Sequence, residues 1–177
     1  MFSKKDILNL INKSDISLIG YEYKSERIKD EFISNLNYIE INEINSSFCF
    51  RTFLRDLKIN YLFTDQSIPE YILLDTTNII YNDKIEKLLN KSLHRQTKIR
   101  NIVMKMSEKI YTDFSTVYPQ NPSFRLIITC PMNKTLNRGI DKNISDAHFI
   151  SGNDILYMSQ FAMTIIDDEI SVIKNHH

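Results

Sequence analysis

The sequence predicts one α/β domain, a mainly parallel twisted sheet flanked by helices and ending in an antiparallel hairpin. Three observations carry this reading. Tyr71-Ile72-Leu73-Leu74-Asp75 is a continuous apolar run closed by a carboxylate, the pattern of a strand covered on both faces. Phe124 to Cys130 repeats that pattern later in the chain, and stretches with helical spacing lie between such runs. Finally, Ala162–Ile166 and Ile170–Lys174 flank Asp167-Asp168-Glu169, a turn-rich trio that reads as a hairpin.

From the N-terminus, residues 2–13 place Phe2, Ile7, Leu8 and Ile11 on one side of a short helix. Asp15 to Gly20 is a β-rich run ending in glycine, and residues 24–36 read as a helix. Tyr38–Ile41 is a second strand and Ser47–Phe50 a candidate third. Residues 51–63 fit a helix, although Ile59–Phe63 fits a strand equally well. After the Tyr71–Asp75 strand, a long helix over about 82–112 has its apolar side at Ile85, Leu88, Ile99, Val103, Met106 and Ile110. Its other face is basic, with Lys84, Lys87, Lys91, His94, Arg95 and Lys98; this is a solvated face or a contact for nucleic acid or an acidic partner. Pro119–Pro122 breaks the chain, and 131–150 reads as a long polar loop.

Composition bounds the function. The chain has 177 residues, enough for one domain without covalent staples. Lys+Arg and Asp+Glu balance at 22 each, so any nucleic-acid contact has to come from a local patch. Cys49 and Cys130 match no metal-ligand spacing and lie in apolar stretches, which reads as two buried free thiols. No apolar run reaches the ~18 residues of a membrane span, and the N-terminus lacks a signal-peptide core, so a cytoplasmic setting and no membrane partner are expected. Only three glycines are present, few for a protein that wraps phosphate in backbone.

The order of these signals resembles the RecA-like recombinases, phage recombinases included, over about residues 15–176. Its most specific part is Ser151 to Ser159, then Ala162–Ile166 and Ile170–Asn175. In that family a Gly-Gly-Asn segment closes the second DNA-binding loop and opens a helix, and a hairpin leads to a Val-Lys-Asn-Lys ending. Gly152-Asn153 and Lys174-Asn175 match, while Ser151 and His176 depart from it.

The resemblance implies a nucleotide site at Lys24, Ser25 and Asp75, with Asp75 as the carboxylate that holds the magnesium water shell. The residues argue that this site is vestigial. Gly20-Tyr21-Glu22-Tyr23-Lys24-Ser25 keeps one glycine and the Lys-Ser pair of a phosphate loop but lacks the second glycine and two residues of spacing. Asn42 or Glu43 falls where the family's catalytic glutamate stands, and Thr129-Cys130-Pro131 replaces a nucleotide-sensing glutamine. No catalytic residue, no metal and no bound cofactor is therefore expected; ATP with magnesium enters only if Lys24, Ser25 and Asp75 still form a remodelled ATPase site.

What the resemblance leaves is binding. Lys134, Arg138 and Lys142 in the 131–150 loop, with Gly152 and Asn153 after it, are the candidate single-stranded DNA contacts; a solvated loop is the plain alternative. Lys174 occupies a position that reaches a neighbouring subunit in RecA filaments. His176 and His177 also match a truncated affinity tag and carry no weight. The expected role is a non-catalytic subunit in DNA recombination, repair or replication, paired with a recombinase or helicase or with itself. A structural or inhibitory module unrelated to DNA is the rival.

Overall fold

The computed structural model describes residues 2–21, 29–42, 48–76, 105, 109–110, 112–116, 123–132, 153–166 and 169–176, with the backbone alone at 153–155. Helix α1 (Lys4–Lys13) begins at a capping box. The Ser3 hydroxyl accepts from the Asp6 amide at 3.2 Å, and the Asp6 carboxylate accepts from the Ser3 amide at 2.8 Å. The Ser3 hydroxyl, then its amide, hold the Asp6 carboxyl below the usual carboxylate range. Ile7 and Ile11, one turn apart, are the buried side of this helix, while Phe2 is exposed.

Six strands form one sheet in the order β2-β3-β4-β1-β5-β6. They are β1 (Ile16–Tyr21), β2 (Tyr38–Glu40), β3 (Tyr71–Asp75), β4 (Arg125–Pro131), β5 (Phe161–Ile166) and β6 (Glu169–Asn175). All neighbours are parallel except β5 and β6, so the predicted α/β class with a mainly parallel sheet and a C-terminal antiparallel pair is what the chain adopts. The two residues between β5 and β6 lie outside the described residues.

Alternation along the strands divides the core between the two faces. Leu18, Ile72, Leu74, Leu126 and Ile128 pack with Phe50, Leu54 and Phe114 on one face. Ile19, Leu73, Ile127 and Met163 pack with Ile7, Ile11, Phe32 and Ile33 on the other. Both faces are therefore dry, which is why these strands read as continuous apolar runs. At the N-terminal edge, Gln160 pins the start of β5 to β1. Its side-chain oxygen accepts from the amides of Asp15 and Ile16, and its side-chain nitrogen donates to Asp15 Oδ2 at 2.9 Å.

Several sequence-based expectations change. Of the candidate strand Ser47–Phe50, the described residues form none: Phe48 and Cys49 pair with no strand, and helix α2 (Phe50–Tyr61) starts at Phe50. Phe50, Leu54 and Leu57, at helical spacing, are its buried face, which also settles Ile59–Tyr61 as helix rather than strand. Of the helix expected over 24–36, the described part is a single π-helical turn, Lys29–Ile33. Most of the 82–112 helix and its basic face lie outside the described residues; helix is present at 112–116, beyond the expected end.

Cys130 is buried as expected, but Cys49 is exposed. It stands at the N-cap of α2, where the chain turns into the helix and the side chain faces outward. The Thr52 amide, ahead of the Thr52 hydroxyl and the Arg51 amide, lowers the Cys49 thiol pKa; no cap hydrogen bond closes, so these groups act as dipoles aimed at the sulfur. Iodoacetamide should therefore modify Cys49 alone in the folded protein, at a rate whose pH midpoint lies below the ~8.5 of a free thiol. Mass spectrometry after a timed pulse checks this. Equal labelling of both cysteines without denaturant would contradict the fold.

Candidate functional site

Because β1 to β5 are parallel, Tyr21, Glu40, Asp75, Pro131 and Ile166 end their strands at one edge of the sheet. The order reverses at β1. Its outgoing segment leads to the far edge at β2, the chain returns through β3 and β4, and then passes β1 to reach β5. In open α/β sheets the crevice at the carboxyl ends, where the order reverses, is where ligands bind. This edge is the candidate site.

Its chemistry sits on one face. Asp75 follows the alternation of Tyr71 and Leu73, and its register partner on β4 is Thr129. Tyr21 stands on β1, one strand further and one rung higher. Its hydroxyl donates to Asp75 Oδ1 at 3.3 Å, a link that has to cross β4 and hence about 9–10 Å of sheet. Thr129 beneath it is small enough to let the phenol pass. All three are buried: Asp75 is 2 % exposed, Tyr21 3 % and Thr129 0 %. The Thr129 hydroxyl has no hydrogen-bond partner, whereas its carbonyl accepts from both the amide and the hydroxyl of Thr76 at 3.0 Å each.

On the opposite face, Gly20 lies between Cys130 and Thr164 in register, a buried row in which the middle residue has no side chain. The strand continues through Gly20 to Tyr21. Gly20 is thus a paired strand residue.

Lys174 is turned inward to its own chain. Its ammonium donates to the Leu156 carbonyl at 3.0 Å and to the Tyr157 carbonyl, and lies 5.6 Å from the Tyr157 ring centroid. A bulge causes this: Ala162 pairs with Lys174 but Met163 pairs with Val172, so Ile173 is skipped and Lys174 shifts to the face that carries helix α3 (Asn153–Met158). There it caps the negative end of α3, and burial lowers its pKa. To serve a neighbouring subunit it would have to leave these carbonyls.

Of the other sequence-derived residues, Asn153 opens α3. Lys24, Ser25, Lys134, Arg138, Lys142 and Gly152 lie outside the described residues. Asn42 is exposed after β2, and Glu43 lies outside the described residues. Tyr21 and Thr129 are the site residues that sequence reasoning passed over as a bulky turn residue and a lost sensor. Period-two counting from Tyr71 and Ile127 would have placed Asp75 and Thr129 on one face; the Tyr21 reach is not a sequence signal.

Of the three residues the resemblance assigns to a nucleotide site, only Asp75 lies among the described residues. A carboxylate that holds a metal through its water shell has to face water, and Asp75 is enclosed and bonded by a phenol. Among the described residues, no group of three His, Cys, Asp or Glu side chains could hold a metal ion, and no helix is long and apolar enough to cross a membrane. No protein-family model matches this sequence, and no curated protein matches it either.

Proposed function

We propose that this chain is a RecA-like domain that has given up phosphoryl transfer and works as a binding or assembly subunit in DNA recombination, repair or replication. Its partner is a recombinase or helicase, or further copies of itself. The observation that carries the reading is the Tyr21–Asp75 hydrogen bond inside the carboxyl edge of a parallel sheet. A glycine-bearing strand and an Asp-ended strand stand one strand apart at that edge, and the α3–β5–β6 ending follows the resemblance seen in Gly152-Asn153 and Lys174-Asn175. Phosphoryl transfer depends on positioning and charge stabilisation at such an edge. Here the carboxylate accepts a hydrogen bond from the chain's own phenol. What remains for function is contact, through the sequence that follows β4, with Lys134, Arg138 and Lys142, or through a protein surface.

Calorimetric titration with ATP and Mg²⁺ tests the first half of this reading, and no binding tighter than millimolar is expected. Tight, magnesium-dependent ATP binding by the pure protein overturns it. Fluorescence anisotropy with a single-stranded oligonucleotide tests the second half. Affinity should fall linearly with log salt, with a slope near −0.7 per phosphate neutralised. Salt-independent binding, or none, moves the function to a protein partner.

A further inference from the structure

Helix α2 buries Phe50, Leu54 and Leu57 against the sheet and leaves a different pattern outside. Arg51, Arg55, Ile59 and Leu62, three and four residues apart, form one exposed stripe. Leu62 keeps helical backbone at the C-cap and so continues it. The stripe is cationic in its first half and apolar at its end. Lys58 adds a third cation at its margin, with the ammonium 6.0 Å from the Phe124 ring centroid. Asp56 is the one carboxylate in the helix; it lies 3.5 Å from Arg55 in an exposed ion pair, which holds that arginine only weakly.

The apolar end is held out by a closed turn. Ile59 is 57 % exposed, Leu62 68 % and Phe63 93 %, and their spacing makes them surface neighbours. The Leu62 amide donates to the Ile59 carbonyl at 3.2 Å. The amide and hydroxyl of Thr64 donate to the Tyr61 carbonyl at 3.3 and 3.2 Å, which fixes the backbone on both sides of Phe63. Single exposed apolar residues are ordinary on a protein surface, but three together beside cations mark a contact site.

We propose that this stripe docks an acidic peptide segment of a partner protein, with carboxylates over Arg51 and Arg55 and apolar side chains against Ile59, Leu62 and Phe63. Charge complementarity names the occupant. The helix carries three cations against one carboxylate, so a second copy of the same face meets like charge. Nucleic acid offers phosphates to the arginines but leaves the aliphatic Ile59 and Leu62 uncovered. A lipid surface takes a helix with an apolar face along its whole length, whereas here the apolar residues are confined to one end. Asp65, two residues beyond Phe63, favours the same direction of docking because it repels a carboxylate at that end. None of these residues belongs to the DNA reading above, which can fail without touching this surface.

Fluorescence anisotropy on the full chain is the test. The probe is a fluorescein-labelled peptide of roughly twelve residues, enough to span the stripe as a helix, with aspartates in its first half and leucine and phenylalanine in its second. Wild type should bind it saturably in the micromolar range, and severalfold more weakly as salt rises from about 0.05 to about 0.5 M. Arg51→Glu combined with Arg55→Glu, and separately Phe63→Ser, should each weaken binding about tenfold or more. Only exposed side chains change, so the circular dichroism spectrum should stay that of wild type; Leu62→Ser takes the place of Phe63→Ser if that variant misfolds. The same peptide with lysines for aspartates should not bind. No saturable binding, equal binding of the lysine peptide, or variants that bind as wild type does would overturn the proposal. So would a single-stranded oligonucleotide or phosphatidylserine vesicles that bind wild type more tightly than the peptide and lose affinity in the same variants, since the surface would then belong to nucleic acid or lipid.

Discussion

Phe50→Ala is expected to cost about 3–5 kcal/mol, a fall in Tm of roughly 6–20 °C, and to leave the chain close to its folding limit. Phe50 is fully buried at the first turn of α2, where the helix meets the sheet. Its ring stands edge-on to Phe48 at 5.1 Å, to Phe53 at 6.2 Å and to Phe114 at 5.6 Å between centroids. Such pairs contribute beyond the area they bury, and all three are lost together. The cavity would also sit between α2 and the 112–116 helix, where Phe50 meets Phe114. Phe63→Ala is the control. Phe63 is 93 % exposed two residues past α2, and its removal should change stability by no more than about 0.5 kcal/mol. Differential scanning calorimetry of both variants decides the matter; equal losses would mean that Phe50 anchors this helix no more than the exposed Phe63 does.

Thr129→Val should raise stability, by about 1–2 kcal/mol or roughly 2–8 °C in Tm. A core substitution that stabilises is unusual, and the reason here is specific. The Thr129 hydroxyl is buried with no partner, so the native state carries its full desolvation cost without the compensating bond. Valine keeps the branched shape that suits the centre of β4 and removes the hydroxyl. Ser17 and Thr164 are buried orphans of the same kind, and Thr164→Val should follow Thr129→Val in direction. The measurement is a pair of urea unfolding curves at unchanged m-value. A loss of stability in Thr129→Val would show that its hydroxyl is bonded in solution, by water or by Asp75, and that the edge holds a polar network.

The two predictions probe parts of the molecule that differ in how far the sequence foretold them. The dry two-faced sheet was legible because Ile72-Leu73-Leu74 and Leu126-Ile127-Ile128 have no polar residue on either face, and only a covered parallel strand tolerates that. The hairpin was legible from the acidic trio between two apolar runs. The start of α2 was not: Phe48 and Phe50 alternate like a strand, and only the Leu54 and Leu57 positions, seen against the sheet, assign Phe50 to a helix. Cys49 sits between two packed phenylalanines and looked equally interior. The N-cap backbone turns it out.

Of the candidate site, Asp75 could be placed from sequence because a carboxylate closing an apolar run has to lie at the carboxyl edge. Lys174 could be found by its place in the ending but not by its contacts. A one-residue bulge at Ile173 changes the face on which it stands, and no local pattern in Ile170 to Asn175 announces that shift.

By itself, the sequence determined that this chain is a mainly parallel α/β domain with a glycine-bearing first strand and an Asp-ended buried strand. Periodicity and spacing are local properties, and a single chain carries them in full. Tertiary structure alone decided that Asp75 is held by Tyr21, that Thr129 is left unbonded beside it and that Lys174 closes α3. The first two depend on β4 lying between β1 and β3, an order set by which faces bury best across more than fifty residues of intervening chain, and the third on the bulge between β5 and β6.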